Sequence, residues 1–187
     1  MKLDYWYFEN FFNSDQIKKI NHFIDNNFYG LEKEELNATD TQQNKIKYAS
    51  VKLINWEKIK HLTNELDQKL YNVNQENFGY DIYSINNNDV CNLNIYSSKM
   101  GSKYGWHIDQ SENDIFDIKF TVLINLSFEI YKGGEFKLFN GNEYEVKEIN
   151  KPGNVIMFKS FLNHSVLPIT EGERRTLAIF IKGPRFK

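Results

Sequence analysis

From about Gly79 onward the chain is a succession of short runs rich in aromatic and β-branched residues: "YDIYSI", "VCNLNIY", "IKFTVLINL", "GEFKLF", "YEVKEI", "NVIMF" and "RTLAIFI". Between them stand "NNND", "KMGSK", "YKGG", "NGNE", "NKPG" and "TEGE". Gly, Asn, Asp and Pro at these joints supply left-handed backbone, side-chain turns or a fixed φ, so each joint reverses the chain. This pattern limits the fold more than any other feature. Many short strands separated by turn chemistry close into an antiparallel sandwich or barrel.

Ahead of this region the apolar period changes to that of a helix. Ile17, Ile20, Ile24 and Phe28 recur at helical spacing, with Ser14 as the expected N-cap, Asp15 in an acidic first turn and an end near Phe28 to Gly30. A second helix is predicted over about 55–71, with Trp56, Ile59, Leu62, Leu66 and Leu70 as one stripe. His22 and His61 lie off these stripes and are expected to be solvated or half-buried. The stretch "LEKEELNATDTQQNKIKY" between the helices has no sustained apolar period and reads as a long polar connection. Together these elements predict a mainly β chain, a jelly roll whose outer face is covered by N-terminal helices. The 187 residues, 41% of them hydrophobic, are expected to form a single domain over 1–187. Its helical part spans about 1–78 and its strand-rich core about 79–187.

A net charge of -2 and a pI near 6.1 disfavour nucleic acid as a partner, because neutralising several phosphates takes a broad basic surface. The apolar runs are only strand-sized, and "MKLDYWYFENFF" carries charges among its aromatics, so no membrane segment is expected and a cytoplasmic location is. The single Cys91 has no partner for an internal disulfide, which suits a reducing compartment and chemistry that needs ferrous iron.

The run "YGWHIDQ" sets His107 and Asp109 on alternate positions of a predicted strand, hence on one side of it. With four His and 25 acidic residues, about 0.5 such pairs arise from composition alone, so the pair needs a third member. His164, in "FLNHSV", offers one after an intervening set of strands. Two His and one carboxylate on one face of a metal leave the other face open, the donor set associated with non-haem Fe(II) oxygenases. A closed structural zinc site would call for four protein ligands, usually including Cys.

Past His164, "EGERRTLAIFI" places Arg174, Thr176, Ala178 and Phe180 on one face and Arg175, Leu177, Ile179 and Ile181 on the other. The second face is largely apolar and is predicted to pack against the helices, so Arg174 and Thr176 point into the barrel. A guanidinium there is costly without an anion, and its planar fork matches a carboxylate. An anionic ligand is therefore expected, with an internal salt bridge to Asp or Glu as the alternative.

These motifs, together with "LINLSFEIYKGGEFKLF", "KPGNVIMFKSFLNHSVLPITEGERRTLAIFI" and the terminal "KGPRF", resemble the 2-oxoglutarate and Fe(II)-dependent oxygenases of the prolyl 4-hydroxylase type over roughly residues 90–186. The resemblance implies a double-stranded β-helix flanked by α-helices. It implies His107, Asp109 and His164 as iron ligands and Arg174 as the group holding the distal carboxylate of 2-oxoglutarate. It further implies Thr176 as a helper and Tyr96 as the tyrosine that reaches the co-substrate. Tyr104 is similar to the family aromatic three places before the first ligand, whereas strand alternation turns Trp106 to the opposite face, towards core packing. Arg stands where many members have Lys, and Asp109 is present where halogenating relatives lack a carboxylate. Hydroxylation is the implied reaction, with Fe(II), 2-oxoglutarate, O₂ and accessory ascorbate.

The expected substrate is a prolyl residue in a protein or peptide. The alternatives are hydroxylation or demethylation of another small molecule or nucleobase on the same fold, or a non-enzymatic cupin-like binding module, which would more often carry a second His where Asp109 stands. The stretches 31–48 and 110–116 are expected to enclose substrate. Glu112, Asp114 and Asp117 would make that rim acidic and favour neutral or basic substrates.

Overall fold

The computed structural model describes residues 3–36, 45–110 and 115–186. In chain order its strands are β1 Tyr5–Phe8, β2 Leu31–Leu36, β3 Lys45–Asn55, β4 Val90–Ser97, β5 Lys103–His107, β6 Asp117–Asn125 and β7 Lys132–Gly133. β8 Phe136–Phe139, β9 Glu143–Glu145, β10 Val155–Lys159, β11 Asn163–Val166, β12 Ile169–Glu171 and β13 Glu173–Gly183 follow. The α-helices are α1 Ser14–Asn27, α2 Trp56–Ile59 and α3 Leu66–Val73.

Eleven strands form one antiparallel sheet in the order β1-β10-β6-β13-β4-β3-β5-β11-β8-β9, with β2 attached to β3, while β7 and β12 pair separately. The sheet curls far enough for its two ends to meet. Phe158 of β10 lies 5.2 Å from Phe136 of β8 and 4.8 Å from His164 of β11, although six strands intervene between β10 and β8 in the sheet order only through such curvature. Right-handed strand twist and tight turns permit that closure, which gives the expected jelly-roll form.

Each side of the sheet has its own core. On the convex side Leu177, Ile179 and Ile181 of β13, with Phe120, Val122 and Ile124 of β6, pack against Ile17, Ile20 and Ile24 of α1 and Leu66 and Leu70 of α3. The alternation predicted for β13 is thus realised, and each of these side chains contributes about 1.5–3 kcal/mol through burial. On the concave side Tyr96, Leu123, Phe136, Leu138, Phe158 and Ala178 form a second cluster.

The helices depart from the sequence reading in instructive ways. Asn13, not Ser14, caps α1: its side chain accepts from the Asp15 and Gln16 amides, and Gln16 reaches back to the Asn13 amide in a capping box. The helix predicted over about 55–71 is broken. After α2 comes a 3₁₀ turn, then Asn64 and Glu65 adopt φ of 52° and 57° before α3 begins. Thr63 Oγ1 bonds the Lys60 carbonyl at 2.7 Å, a local alternative to the helical ladder that Thr readily offers. Trp56, Ile59, Leu66 and Leu70 are nonetheless buried, because a tightened turn preserves their common side.

The polar stretch after α1 is not simply a connection. β2 pairs with β3 from Leu31↔Val51 to Leu36↔Lys45, since ladder bonds are main-chain bonds and do not require an apolar pattern. Conversely "YDIYSI" forms no strand. Both edges of β13 are occupied along most of its length, and this segment makes one bond beyond the end of β4, from the Tyr83 amide to the Lys182 carbonyl. Asn74 ties its start at Tyr80 through both side-chain atoms. Of "YEVKEI" only Tyr144 and Glu145 are strand, within β9, and the run turns at Lys147 into the 3₁₀ segment Lys147–Asn150. The enclosing role expected of 31–48 and 110–116 turns on 37–44 and 111–114, which lie outside the described residues, as do Glu112 and Asp114. Asp117 is engaged by the Phe186 amide at 2.6 Å and by Lys119.

Gly153 joins the N-terminal segment to the sheet: its φ is +85° and an added Cβ would lie 2.0 Å from the Phe12 carbonyl oxygen. Gly141 has φ of +78° with open space around it. Gly141→Ala should therefore incur only the left-handed backbone penalty of about 1–2 kcal/mol. Gly153→Ala adds a backbone collision and should lower the thermal midpoint by at least twice as much, a comparison that differential scanning fluorimetry of the two variants decides.

Candidate metal centre

β5 ends at His107, and β11 brings His164 directly opposite it in the antiparallel register. The two imidazole centroids are 4.0 Å apart. Each ring points its Nδ1 at the main-chain carbonyl two residues earlier, His107 to Gly105 at 2.8 Å and His164 to Leu162 at 3.0 Å. A carbonyl only accepts, so Nδ1 carries the proton in both rings and the neutral Nε2 atoms present lone pairs. Asp109 lies two residues past the end of β5, held by a bond from its amide to the Ser160 carbonyl at 3.0 Å. Its Oδ1 lies 3.7 Å from His107 Nε2 and its Oδ2 3.3 Å from His164 Nε2.

Three ligand atoms thus converge within 4.8 Å of one another. Two lone pairs and a carboxylate facing each other repel unless a cation or a proton lies among them, and both His contacts match the outer bonds that orient imidazole ligands. Burial pushes His107 down to about 4, helped by the neighbouring His164 and opposed by Asp109. Burial alone would raise the Asp109 carboxyl, but its proximity to His164 and the hydrogen bond from Thr121 outweigh it and hold Asp109 below the ordinary carboxylate range. Both shifts favour the forms that a metal requires, neutral imidazole and ionised carboxylate.

Aromatic rings brace the cluster. Tyr104 stacks on His107 at 3.5 Å with 16° between the planes, and the Lys47 ammonium sits 4.3 Å over the other ring, Tyr104. Phe158 and Phe136 flank His164 at 4.8 and 5.8 Å. Trp106 is a correction: it was expected in the core, yet it is 41% exposed, with only an edge contact to Phe139 at 6.4 Å. Alternation does turn it away from His107, but α1 and α3 cover the β6–β13 side and no β5 residue belongs to that core.

His107, Asp109 and His164 open into a cavity of about 380 Å³ that Tyr96, Arg174 and Thr176 also line. Arg174 is 1% exposed, and among the described residues its Nε and Nη2 have no hydrogen-bond partner; neither does Thr176 Oγ1 nor Asn94 Oδ1. Register explains their grouping: Tyr96 faces Arg174 and Asn94 faces Thr176 across the β4–β13 pair. The Tyr96 ring lies 5.5 Å from the guanidinium carbon. Arg175, one residue on, is also buried but fully engaged. It bonds Asn21 at 2.8 Å and Asp25 at 2.7 Å, both on α1, and approaches Glu173 at 3.5 Å. The internal salt bridge weighed for Arg174 belongs to its neighbour.

Lys47, Asn94, Thr121 and Ser160 went unremarked in the sequence. Alternation within "IKFTVLINL" could have grouped Thr121 with Leu123, but nothing local says that this face meets Asp109. Lys47 fell within the stretch read as connection.

Residues 91–182 match the model of the 2OG-Fe(II) oxygenase superfamily. Over 88 residues the chain is 34% identical to a PKHD-type hydroxylase of Synechococcus sp. (strain CC9605), covering 46% of this chain and 39% of that relative. Its fold resembles that of a Pseudomonas putida prolyl-4-hydroxylase, with a TM-score of 0.67 at 18% identity over 98% of this chain and 94% of the other. It also resembles a Trichoplax adhaerens prolyl hydroxylase in complex with a hypoxia inducible factor oxygen degradation domain peptide fragment. There the TM-score is 0.65 at 19% identity, over 95% and 83% of the two chains. Such identities speak for the fold, and the chain spans 34% to 39% of the length of the curated relatives it matches.

In the metal-free protein the His107 resonance should titrate near pH 4, well below the usual 6.5, with the proton of the neutral ring on Nδ1. Because the unfolded chain then binds the proton more tightly, His107 makes the fold lose stability as pH falls from about 6.5 towards 4. Nitrogen-edited NMR of the imidazoles across that range measures both; a midpoint at 6.5 would contradict the burial argument.

Proposed function

We propose that the chain, which matches the 2OG-Fe(II) oxygenase superfamily over residues 91–182, acts as a single-domain Fe(II)- and 2-oxoglutarate-dependent dioxygenase. Its proposed reaction is hydroxylation of a C–H bond, with a prolyl residue of a protein or peptide as substrate. The observation that carries this reading is the pairing within one cavity of a His107–Asp109–His164 cluster and a buried Arg174 whose Nε and Nη2 lack partners among the described residues. A binding module with a metal alone would have no use for that guanidinium, which is expensive to bury unless an anion meets it.

In this reading His107, Asp109 and His164 hold the ferrous ion, and Arg174 receives the distal carboxylate of 2-oxoglutarate. Thr176 adds a hydroxyl donor, and Tyr96 forms the aromatic wall beside the guanidinium. When bound, Fe(II) and 2-oxoglutarate supply the oxidising chemistry, in which O₂ gives one atom to the C–H bond and one to succinate as CO₂ is released. The protein's own part is to fix the donors and limit water. Neutral rings held through Nδ1 keep their lone pairs aimed, and Tyr104 prevents His107 from turning. The apolar side chains of Phe136, Leu123 and Ala178 lower the local dielectric around the charged groups.

The prolyl assignment is supported by the likeness to the Pseudomonas putida and Trichoplax adhaerens prolyl hydroxylases, and the peptide form by the Trichoplax complex. No helix among the described residues is long and apolar enough to cross a membrane. A reducing cytoplasm completes the proposal, since it suits ferrous iron and a buried free Cys91.

The two adjacent arginines give a double dissociation. Arg174→Ala should weaken 2-oxoglutarate binding by roughly two to four powers of ten, the effect of removing one partner of a buried pair. Arg175→Ala should lower the thermal midpoint by severing β13 from α1 while leaving co-substrate affinity nearly unchanged. His164→Ala should abolish succinate release. Calorimetric titration of 2-oxoglutarate with Mn(II) present, plus mass spectrometry of prolyl peptides incubated with Fe(II), 2-oxoglutarate and ascorbate, tests all three. Full succinate release by His164→Ala, or greater loss of affinity in Arg175→Ala, would overturn the assignment.

A further inference from the structure

Thr121 of β6 is 2% exposed, and its Oγ1 lies 2.6 Å from Asp109 Oδ2 and 3.2 Å from Ser160 Oγ. The direction of both bonds follows from the groups involved. An ionised carboxylate only accepts, so Thr121 gives its single proton to Asp109. Its oxygen is then left as the acceptor towards Ser160, whose hydroxyl must donate. Ser160 is wholly buried and directly follows β10.

Ser160 also grips Asp109 through the main chain, because its carbonyl takes the Asp109 amide at 3.0 Å. The Ser160 amide in turn bonds the Lys119 carbonyl of β6 at 3.2 Å, which closes a ring of contacts through β6, the residue after β10, and Asp109. Asp109 needs this ring. It lies past the end of β5, where no ladder fixes its backbone, whereas His107 and His164 are set by the β5–β11 register.

We propose that Thr121, with Ser160 behind it, is the positioning pair for Asp109: the hydroxyl relay sets the plane of the carboxylate so that it meets a divalent metal together with the two Nε2 atoms. This rests on the reading of His107, Asp109 and His164 as the metal ligands. The relay is specific in its chemistry. It takes a hydroxyl at 121, since Val has the same shape without a donor, and it takes a donor at 160 to keep the Thr121 proton turned to Asp109. Bonds of this kind to a metal ligand typically carry about 10–100-fold in metal affinity.

The experiment uses Co(II) as the probe with the full chain, following binding by calorimetry and coordination by the visible ligand-field spectrum. Thr121→Val should weaken Co(II) binding by about 10–100-fold and alter the spectrum. Thr121→Ser, which restores the hydroxyl, should recover most of the affinity and the wild-type spectrum; a packing role for the methyl group would not give that rescue. Ser160→Ala leaves Thr121 in place and should produce a smaller loss in the same direction, so the proposal remains testable even where Thr121→Val folds poorly. Wild-type affinity and spectrum in Thr121→Val, or failure of Thr121→Ser to recover, would overturn the relay while leaving the metal site intact. Wild-type protein that takes up no Co(II), or His164→Ala that binds it normally, would instead overturn the site on which the relay rests.

Discussion

The register between β5 and β11 is the constraint on which the rest of the site depends. It sets His164 opposite His107 and points both rings to the concave side. Because side chains alternate along a strand, a slip of one residue would send one imidazole to solvent and dissolve the cluster. The sheet also curls until β11 and β8 lie against β10, with Phe136 and Phe158 filling the contact. The concave core therefore does two things at once: it closes the sheet, and it forms the dry wall beside the converging donors.

A second consequence of the curl is the division of labour along β13. Its two faces see different worlds, the helix-side core and the cavity, and adjacent arginines are sorted between them. Arg175 is neutralised by Asp25 and bonded by Asn21, so its charge is used in docking α1 onto the sheet. Arg174 is buried as deeply, with Nε and Nη2 unpartnered among the described residues. The same residue type one position apart thus becomes a structural tie in one case and a candidate anion receptor in the other, and it is the presence or absence of a built-in carboxylate that separates them.

Much of the architecture was legible because its causes are local. The strands from β4 onward combine period-two apolarity with turn residues, and α1 has both its stripe and its caps in a short window. The failures also have local explanations. β2 and the start of β3 are held by main-chain bonds that leave no apolar signature in "LEKEEL". The break at Asn64 and Glu65 relies on left-handed backbone that non-glycine sequence does not announce. For Trp106, alternation gave the right face but could not tell that no helix covers it.

The sequence by itself determined the strand-rich class, the shared side of His107 and Asp109, and the opposed faces of Arg174 and Arg175, because two-residue and 3.6-residue periods are properties of the backbone. Only the tertiary structure decided which side was concave, that His164 arrives opposite His107, and that Thr121 and Ser160 close on Asp109. Those relations join strands far apart in the chain, and their distances depend on how the sheet curls, a collective result of packing on both faces that no short window of residues contains.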